Sequence, residues 1–105
     1  MTVEMIGGEE HITAVLCGEL DHHTAAAARE LIDARLERCT PKLCIIDMAG
    51  VTFMDSSGIG LLLGRQRVME MYGGKVRVKN PSRHAEKIIR LAGMQSMIIP
   101  EKCKV

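Results

Sequence analysis

The chain has 105 residues, the length of one small domain, because a second core would need about another 100 residues. Its 47% hydrophobic and 26% charged residues exclude a chain that is disordered throughout, and this apolar share lets it fold without a metal or a disulfide. A net charge of +1, one phenylalanine, one tyrosine and no tryptophan argue against direct nucleic-acid binding, which needs positive charge or aromatic stacking platforms.

The opening of the chain predicts a β-hairpin. Residues 2–6 and 11–17 are short apolar runs on either side of Gly7 and Gly8. Glycine supplies the positive φ that a hairpin turn needs, so we expect two antiparallel strands here.

The next segment predicts an amphipathic helix, with Thr24 as its N-cap and its end near Cys39. Residues at intervals of three and four form one buried face: Ala25, Ala28, Ile32, Leu36 and Cys39. The opposite face should point three charged residues to water, namely Arg29, Asp33 and Glu37.

Two further strands are predicted. Residues 43–46 form an unbroken apolar run after Pro41, which is typical of a strand covered on both faces, and we expect this strand to be central in the sheet. Residues 75–79 alternate between charged and apolar side chains, which predicts a strand with one wet face.

A second helix is predicted to begin near Ser56 or Ser57. Its inner stripe runs from residue 58 to residue 72 at helical spacing and is apolar or small except for Arg65. The paired glycines at residues 73–74 should end this helix.

A third helix is predicted after the last strand. Asn80 can cap it and Pro81 suits its first turn, while Gly93 should close it. Its inner face would consist of Ala85, Ile88, Ile89 and Ala92. Residues 97–99 predict a short final strand or an extended tail.

Charge is distributed unevenly along the chain. Residues 1–64 carry four basic and ten acidic side chains, whereas residues 65–105 carry ten basic and three acidic ones. Solvated basic faces on the later helices explain this asymmetry more simply than a dedicated anion site does.

Neither the apolar runs nor the cysteines indicate a membrane or an oxidising compartment. No run approaches the roughly 20 residues that span a membrane, and the N-terminus has no basic stretch before a hydrophobic one. Cys17, Cys39, Cys44 and Cys103 lack C-x-x-C spacing, so we predict small buried side chains rather than a disulfide or a zinc site. We expect a cytoplasmic protein without membrane contact.

The stretch Phe-Met-Asp-Ser-Ser-Gly-Ile-Gly at residues 53–60 is the best candidate for chemistry. It follows an apolar strand and a short connection and it starts a helix, so Ser56 and Ser57 should lie beside backbone N–H groups that have no helical partner. Such a place favours a negative charge. Asp-Ser-Ser is also a good capping sequence, and from spacing alone capping is the simpler interpretation.

Three enzyme interpretations fit the sequence less well. The phosphate-loop pattern G-x-x-x-x-G-K-[ST] and the serine hydrolase pattern G-x-S-x-G are both absent. His22 and His23 are adjacent, and adjacent residues rarely converge on one metal ion without further ligands. We therefore expect no catalytic residue, no metal site and no cofactor.

Residues 53–60, together with Gly-Glu-Leu-Asp-His-His-Thr-Ala at 18–25 and Leu-Leu-Gly-Arg at 62–65, resemble the STAS-domain anti-sigma factor antagonists of bacteria. Within that family the resemblance is strongest to the sporulation type, which acts on anti-sigma F factor. It extends in order and spacing from about residue 3 to residue 99. It implies a single STAS domain over residues 1–105, an α/β fold with a mixed sheet of four to five strands and three to four helices packed against it.

The resemblance also implies a regulator that switches partners and has no catalysis of its own. The unmodified protein would bind an anti-sigma factor that is also a serine kinase, and would thereby release the sigma factor for transcription. The kinase would phosphorylate Ser56, and a PP2C-type serine phosphatase would reverse this. The implied docking surface comprises Asp21, His22, His23, Thr24, Asp55, Ser57, Gly58 and Gly60.

Two alternatives remain open from the sequence. An antagonist of a general-stress anti-sigma kinase would use the same site, although Gly-Glu-Leu-Asp-His-His-Thr at residues 18–24 favours the sporulation partner. A STAS module that binds a small ligand or a nucleotide would use the same helix N-terminus.

Overall fold

Strands and helices alternate along residues 1–100, the part of the chain that the computed structural model describes. The strands are β1 (Thr2–Gly7), β2 (His11–Leu20), β3 (Leu43–Met54) and β4 (Lys75–Lys79). The helices are α1 (His22–Cys39), α2 (Ser56–Met71) and α3 (Arg83–Leu91), and a 3-10 turn follows at Gln95–Met97. This is the expected α/β fold, with a mixed sheet of four strands and three helices.

The sheet has the strand order β1-β2-β3-β4. β1 and β2 form the predicted antiparallel hairpin, and β2, β3 and β4 are parallel. Gly7 has a φ of 119°, and a Cβ there would lie 2.5 Å from the carbonyl oxygen of His11, so the hairpin turn requires glycine.

The two inner strands are longer than predicted. β2 continues to Leu20, and β3 continues through the expected connection to Met54. Gly50 allows this pairing, because a Cβ at that position would lie 2.5 Å from the Sγ atom of Cys17 on β2. The parallel pairing therefore runs to the far edge of the sheet, where Leu20 lies opposite Met54.

Only one face of the sheet is fully buried. Its register aligns residues from three strands in two buried rows, Ile12, Cys44 and Val76 in one and Ala14, Ile46 and Val78 in the other. All three helices contribute side chains to the same core cluster, including Ile32, Leu62 and Ile89. Burial of these aliphatic side chains stabilises the fold by about 1.5–3 kcal/mol for each.

The opposite face of the sheet is half-buried, with Leu43 and Ile45 both partly exposed. The prediction that residues 43–46 are covered on both faces was therefore wrong. β2, β3 and β4 are adjacent and in order, so right-handed crossovers through α1 and α2 place both helices on one side.

The start of α3 differs from the prediction. Its N-cap is Ser82, whose Oγ atom accepts a hydrogen bond of 3.0 Å from the N–H of Ala85. Asn80 instead takes a left-handed conformation with a φ of 56°, and its amide donates to the Asp47 carboxylate at 3.3 Å. Asn80 thus ends β4 rather than starting α3.

The ends of the helices agree better with the sequence. Gly73 and Gly93 have φ values of 73° and 74° and follow α2 and α3 as predicted. Ala92, expected on the inner face of α3, is exposed because it lies beyond the helix end at Leu91. Ile98 forms a single parallel bridge with Val78, which fits the predicted extended tail from this residue on, but Met97 ends the 3-10 turn instead of belonging to the tail.

The cysteines do not share one environment. Cys44 is buried, and burial raises the pKa of its thiol to about 12. Cys39 is half-buried, and Cys17 is exposed because its side chain points to the uncovered face of the sheet. Burial was thus predicted correctly for Cys44 and wrongly for Cys17, while Cys103 lies outside the described residues. All three described cysteines are free thiols.

An ion pair joins α1 to α2. The Nε atom of Arg65 lies 2.7 Å from the Oδ1 atom of Asp33, and Arg65 is only 5% exposed. Arg29 and Glu37 face solvent as predicted, but the prediction for Asp33 was wrong, because its carboxylate turns toward the one charged side chain on the buried stripe of α2.

Within residues 1–100, no helix has both the length and the apolar content needed to cross a membrane.

Candidate functional site

Two helix N-termini lie side by side at one edge of the sheet. Leu20 and Met54 are the last paired residues of two parallel strands, and each is followed by an aspartate that caps the next helix. The backbone N–H of Asp55 donates to the carbonyl of Leu20 at 3.2 Å, which links the two turns directly. The carboxyl ends of parallel strands are a common place for binding sites in α/β folds.

The first turn of α1 is closed by reciprocal hydrogen bonds. The Oδ1 atom of Asp21 accepts from the N–H groups of His23 at 2.9 Å and Thr24 at 3.1 Å. The Thr24 hydroxyl accepts from the N–H of Asp21 at 3.0 Å and donates to the carbonyl of Glu19 at 2.8 Å. The predicted N-cap at Thr24 was therefore wrong: Asp21 is the N-cap, and Thr24 completes a capping box from within the helix.

The Asp21 carboxylate is stabilised in its charged form. Desolvation raises the pKa of this group, but hydrogen bonds from the backbone of Thr24 and His23 outweigh it and lower the pKa overall. His22 and His23 follow in the exposed first turn, with ring centroids 3.9 Å apart. Asp21 and Thr24 thus fix the conformation of the turn, and the side chains of the two histidines form its exposed surface.

The first turn of α2 uses its aspartate in the same way and leaves a hydroxyl unused. The Oδ1 atom of Asp55 accepts from the N–H of Ser57 at 2.8 Å. Ser56 is the first residue of α2 and is exposed, and its hydroxyl makes no hydrogen bond within residues 1–100. Asp55 therefore caps this helix, and the hydroxyl of Ser56 is available for other interactions or reactions.

The two glycines of the motif have different surroundings. Gly58 is buried, and a Cβ there would lie 2.5 Å from Cγ of Met54 and 3.2 Å from Cδ2 of Leu20. Gly60 is exposed, and no atom lies within 4 Å of the position its Cβ would take. The lack of a side chain at Gly58 therefore lets α2 pack closely against the ends of β2 and β3. At Gly60 it leaves open space at the protein surface.

A groove separates the first halves of α1 and α2. It has a volume of about 290 Å³. Its walls consist of Ala25, Ala26, Arg29, Ser57, Gly60, Leu61 and Arg65. Sequence reasoning identified Ser57 and Gly60 but missed the two arginines. The available signal was that Arg65 is the one charged residue on the otherwise apolar or small stripe of α2.

Phe53 is a second feature that the sequence did not single out as a site residue. Its side chain is 42% exposed at the end of β3, and its ring is roughly parallel to that of His84, with centroids 6.2 Å apart. A large exposed aromatic beside a candidate site is a common anchor in protein–protein interfaces. The signal was an aromatic residue at the strand end in a chain that has only two.

Within residues 1–100, no group of three or more histidine, cysteine, aspartate or glutamate side chains is placed to hold a metal ion.

Comparison with known proteins identifies relatives of the whole domain. The sequence model of the STAS domain family matches residues 3–104. The chain is 39% identical to the anti-sigma F factor antagonist of Lysinibacillus sphaericus over 85 residues, which cover 81% of this chain and 73% of the relative. It is 25% identical to the anti-sigma-B factor antagonist of Bacillus subtilis over 99 residues, which cover 93% of this chain and 88% of the relative.

Solved structures show the same architecture. The anti-sigma factor antagonist SpoIIAA in its unphosphorylated form is 29% identical, with a TM-score of 0.85 over 98% of this chain and 92% of that chain. The Bacillus cell fate determinant SpoIIAA in the phosphorylated form is also 29% identical, with a TM-score of 0.76 over 98% and 96%. The family match spans nearly the entire sequence, and the chain therefore belongs to the STAS domain family.

Proposed function

We propose that the chain is an anti-sigma factor antagonist of the anti-sigma F type. In its unphosphorylated form it binds an anti-sigma factor that is also a serine kinase, and the sigma factor is released. Phosphorylation of Ser56 ends this binding, and a PP2C-type serine phosphatase restores it. The protein acts in the cytoplasm, where transcription takes place. The name of the 39% identical relative supports the anti-sigma F type over the anti-sigma-B type, whose representative is 25% identical.

The observation that carries the proposal is the free hydroxyl of Ser56 at the start of α2. It is exposed, and capping does not occupy it because Asp55 performs that role. A kinase can therefore reach the hydroxyl without unfolding the helix. Neighbouring Ser57 is half-buried, which makes it the poorer acceptor of the two.

The position of Ser56 also explains why a phosphate need not change the fold. Phosphorylation adds about −1.5 to −2 charges, and the N-terminal end of a helix dipole favours negative charge. The similarity of this chain to both the unphosphorylated and the phosphorylated SpoIIAA structures supports a fold that is common to the two forms.

Binding can still change sharply, because the added charge lies at the contact surface. Asp55 already places one carboxylate beside Ser56. A phosphate next to it brings like charges together and must be desolvated when the partner docks. A loss of only about 2.7 kcal/mol weakens a complex about 100-fold, which suffices for a switch.

The adjacent turn of α1 completes the docking surface. His22 and His23 are exposed and can contact the partner, and the capping box of Asp21 and Thr24 holds them in place. A turn that is fixed before binding lowers the entropic cost of association.

The test is phosphorylation by the anti-sigma F factor of the same bacterium. The purified chain is incubated with this kinase and ATP, and the modified residue is mapped by mass spectrometry. We expect label on Ser56, none on the Ser56→Ala variant, and unchanged label on the control Ser96→Ala, an exposed serine outside the proposed docking surface. Label that persists on Ser56→Ala would show that the site is wrong.

The alternatives predict different results. An antagonist of a general-stress kinase would bind that kinase more tightly than the anti-sigma F factor. A nucleotide-binding module would bind ATP or GTP tightly as an isolated chain, which isothermal titration calorimetry detects. We expect the anti-sigma F factor to bind most tightly and neither nucleotide to bind the isolated chain in the micromolar range.

A further inference from the structure

We propose that the groove between α1 and α2 receives an acidic side chain of the partner, whose carboxylate pairs with the exposed guanidinium group of Arg29 and lies near the buried guanidinium group of Arg65. This inference rests on the proposed function and extends it. It adds a second contact with the partner beside Ser56, and it names a carboxylate as the group that this contact binds.

The shape of the groove suits one inserted side chain. Its volume of about 290 Å³ is well above what one water molecule needs. Four of the wall residues are small, Ala25 and Ala26 from α1 and Ser57 and Gly60 from α2. No atom lies within 4 Å of the position that a Cβ of Gly60 would take, so the surface of α2 is open to solvent there.

The charges at the groove are not balanced within the described chain. Arg65 is 5% exposed, and its Nε atom lies 2.7 Å from the Oδ1 atom of Asp33, but neither of these two atoms nor the buried Nη1 atom of Arg65 makes a hydrogen bond in residues 1–100. A buried donor without a partner is costly, and a guanidinium group carries five N–H donors. One carboxylate cannot satisfy them all.

Arg29 adds a second positive charge to the same groove. It is exposed, and within residues 1–100 it forms neither an ion pair nor a hydrogen bond. Burial lowers the pKa of Arg65, Asp33 opposes that shift, and the charge of Arg29 adds to it. The charges of two guanidinium groups therefore act on one carboxylate, that of Asp33, and the groove has an excess of positive charge.

A carboxylate is the ligand that fits this excess. A guanidinium group pairs with a carboxylate through two parallel hydrogen bonds, which gives direction as well as attraction. Arg29 is one of only four basic residues among the first 64, against ten acidic ones. An acidic side chain of the partner therefore finds few other cationic residues in this part of the chain, which favours the contact at Arg29.

The groove also connects the contact to the switch. Ser57 lines the groove and follows Ser56 directly in the chain. A phosphate on Ser56 would repel the partner's carboxylate and would offer Arg29 another anion to pair with. Part of the binding that phosphorylation removes would then be the contact of this acidic side chain.

The experiment measures the affinity of the full chain for the anti-sigma F factor of the same bacterium. Arg29→Gln should weaken binding by about tenfold, which corresponds to about 1.4 kcal/mol. Arg38→Gln, an exposed arginine in the last turn of the same helix, should leave the affinity unchanged. Equal affinities for the two variants would overturn the proposal.

A second pair of variants tests the space rather than the charge. Ala26→Leu fills the groove and should weaken binding by at least fivefold, while Ala27→Leu adds the same volume at an exposed position that does not line the groove. Both variants should retain the circular dichroism spectrum and thermal midpoint of the parent. Full affinity in Ala26→Leu would show that nothing enters the groove.

The connection to phosphorylation is tested by a double-mutant cycle. Ser56→Asp should cost less affinity in the Arg29→Gln background than in the parent, by at least threefold, since the contact it disturbs is already absent. Purely additive effects would contradict the proposed link. If Ser56→Asp weakens binding but Arg29→Gln does not, only the groove proposal fails. If the parent chain does not bind the anti-sigma F factor, both the proposed function and the groove proposal fail.

Discussion

The first turns of α1 and α2 have the same position in the fold but differ in how their hydroxyl groups are used. Each follows the last paired residue of a parallel strand, and each is capped by an aspartate. In α1 the capping box uses the hydroxyl of Thr24 twice, as an acceptor and as a donor. In α2 the hydroxyl of Ser56 has no partner in the described chain. One turn is thus fixed in shape, while the other presents a group that can be modified.

Under the proposed function, this difference would let a small domain combine a rigid docking surface with a residue that is modified. Because Asp55 rather than Ser56 caps α2, a phosphate on Ser56 would remove no hydrogen bond that supports the helix. The two turns are linked by the hydrogen bond from Asp55 to Leu20, so a change at one lies beside a fixed contact surface at the other.

The largest effect on stability is expected where the two helices are tied together. Asp33→Ala leaves the buried guanidinium of Arg65 without its carboxylate, and we expect a loss of about 2–4 kcal/mol, somewhat below the usual value for a buried pair because the Asp33 side chain is 28% exposed. Urea denaturation measures the difference. Glu37→Ala, which removes an exposed acid from the same helix, should change stability by less than about 0.5 kcal/mol. Equal losses would show that the ion pair does not hold the helices together.

The next effect concerns the packing beneath the start of α2. Gly58→Ala places a methyl group about 2.5 Å from the Met54 side chain, and we expect a loss of about 1–3 kcal/mol from overpacking. Gly60→Ala meets no atom within 4 Å and should stabilise the helix by about 0.5–1 kcal/mol. Thermal unfolding of the two variants should therefore shift in opposite directions, and shifts of the same sign would contradict the difference in their surroundings.

The two caps are expected to differ modestly. Asp21 accepts two backbone hydrogen bonds and takes part in a capping box, whereas Asp55 accepts one. We expect Asp21→Ala to cost about 1–2 kcal/mol and Asp55→Ala about 0.5–1 kcal/mol. Chemical denaturation of both variants checks this order, and a larger loss for Asp55→Ala would show that the start of α1 is not the more firmly held turn.

The smallest expected effect is the dependence of stability on pH in the acid range. The pKa of Asp21 is lowered from its ordinary value of 3.8, so its charged form stabilises the fold above that pH, and this contribution is lost as the pH falls through the lowered pKa. Asparagine can still cap a helix but does not titrate. The thermal midpoints of the parent and Asp21→Asn should therefore converge as the pH falls below 3.8. A difference that stays constant over this range would contradict the assignment.

The hydrophobic pattern was sufficient to predict most of the fold. It predicted the hairpin, the helical stripe of α2 and the strand β4, because each depends on a local period. It failed for the length of β3, since the pairing of Gly50 beside Cys17 depends on the neighbouring strand. It also failed for the uncovered face of the sheet, because the handedness of the crossovers, rather than the composition of residues 43–46, determines which face the helices cover.

The candidate site was predicted in part. The motif at residues 53–60 located the start of α2, but only the contacts separate the capping role of Asp55 from the free hydroxyl of Ser56. The groove could not be predicted, because it forms only where Arg29 of α1 and Arg65 of α2 line the same space between the two helices. Local sequence located the start of α2 but misplaced the N-caps of α1 and α3, and it does not indicate which side chains from another helix will lie beside a helix start.

The most direct test of the central claim compares two forms of the full chain. Unphosphorylated protein and protein phosphorylated on Ser56 are titrated separately with the anti-sigma F factor, and circular dichroism confirms that both are folded. We expect the phosphorylated form to bind at least about 100-fold more weakly, a loss of about 2.7 kcal/mol, with no change in secondary structure. Equal affinity for the two forms would contradict the account.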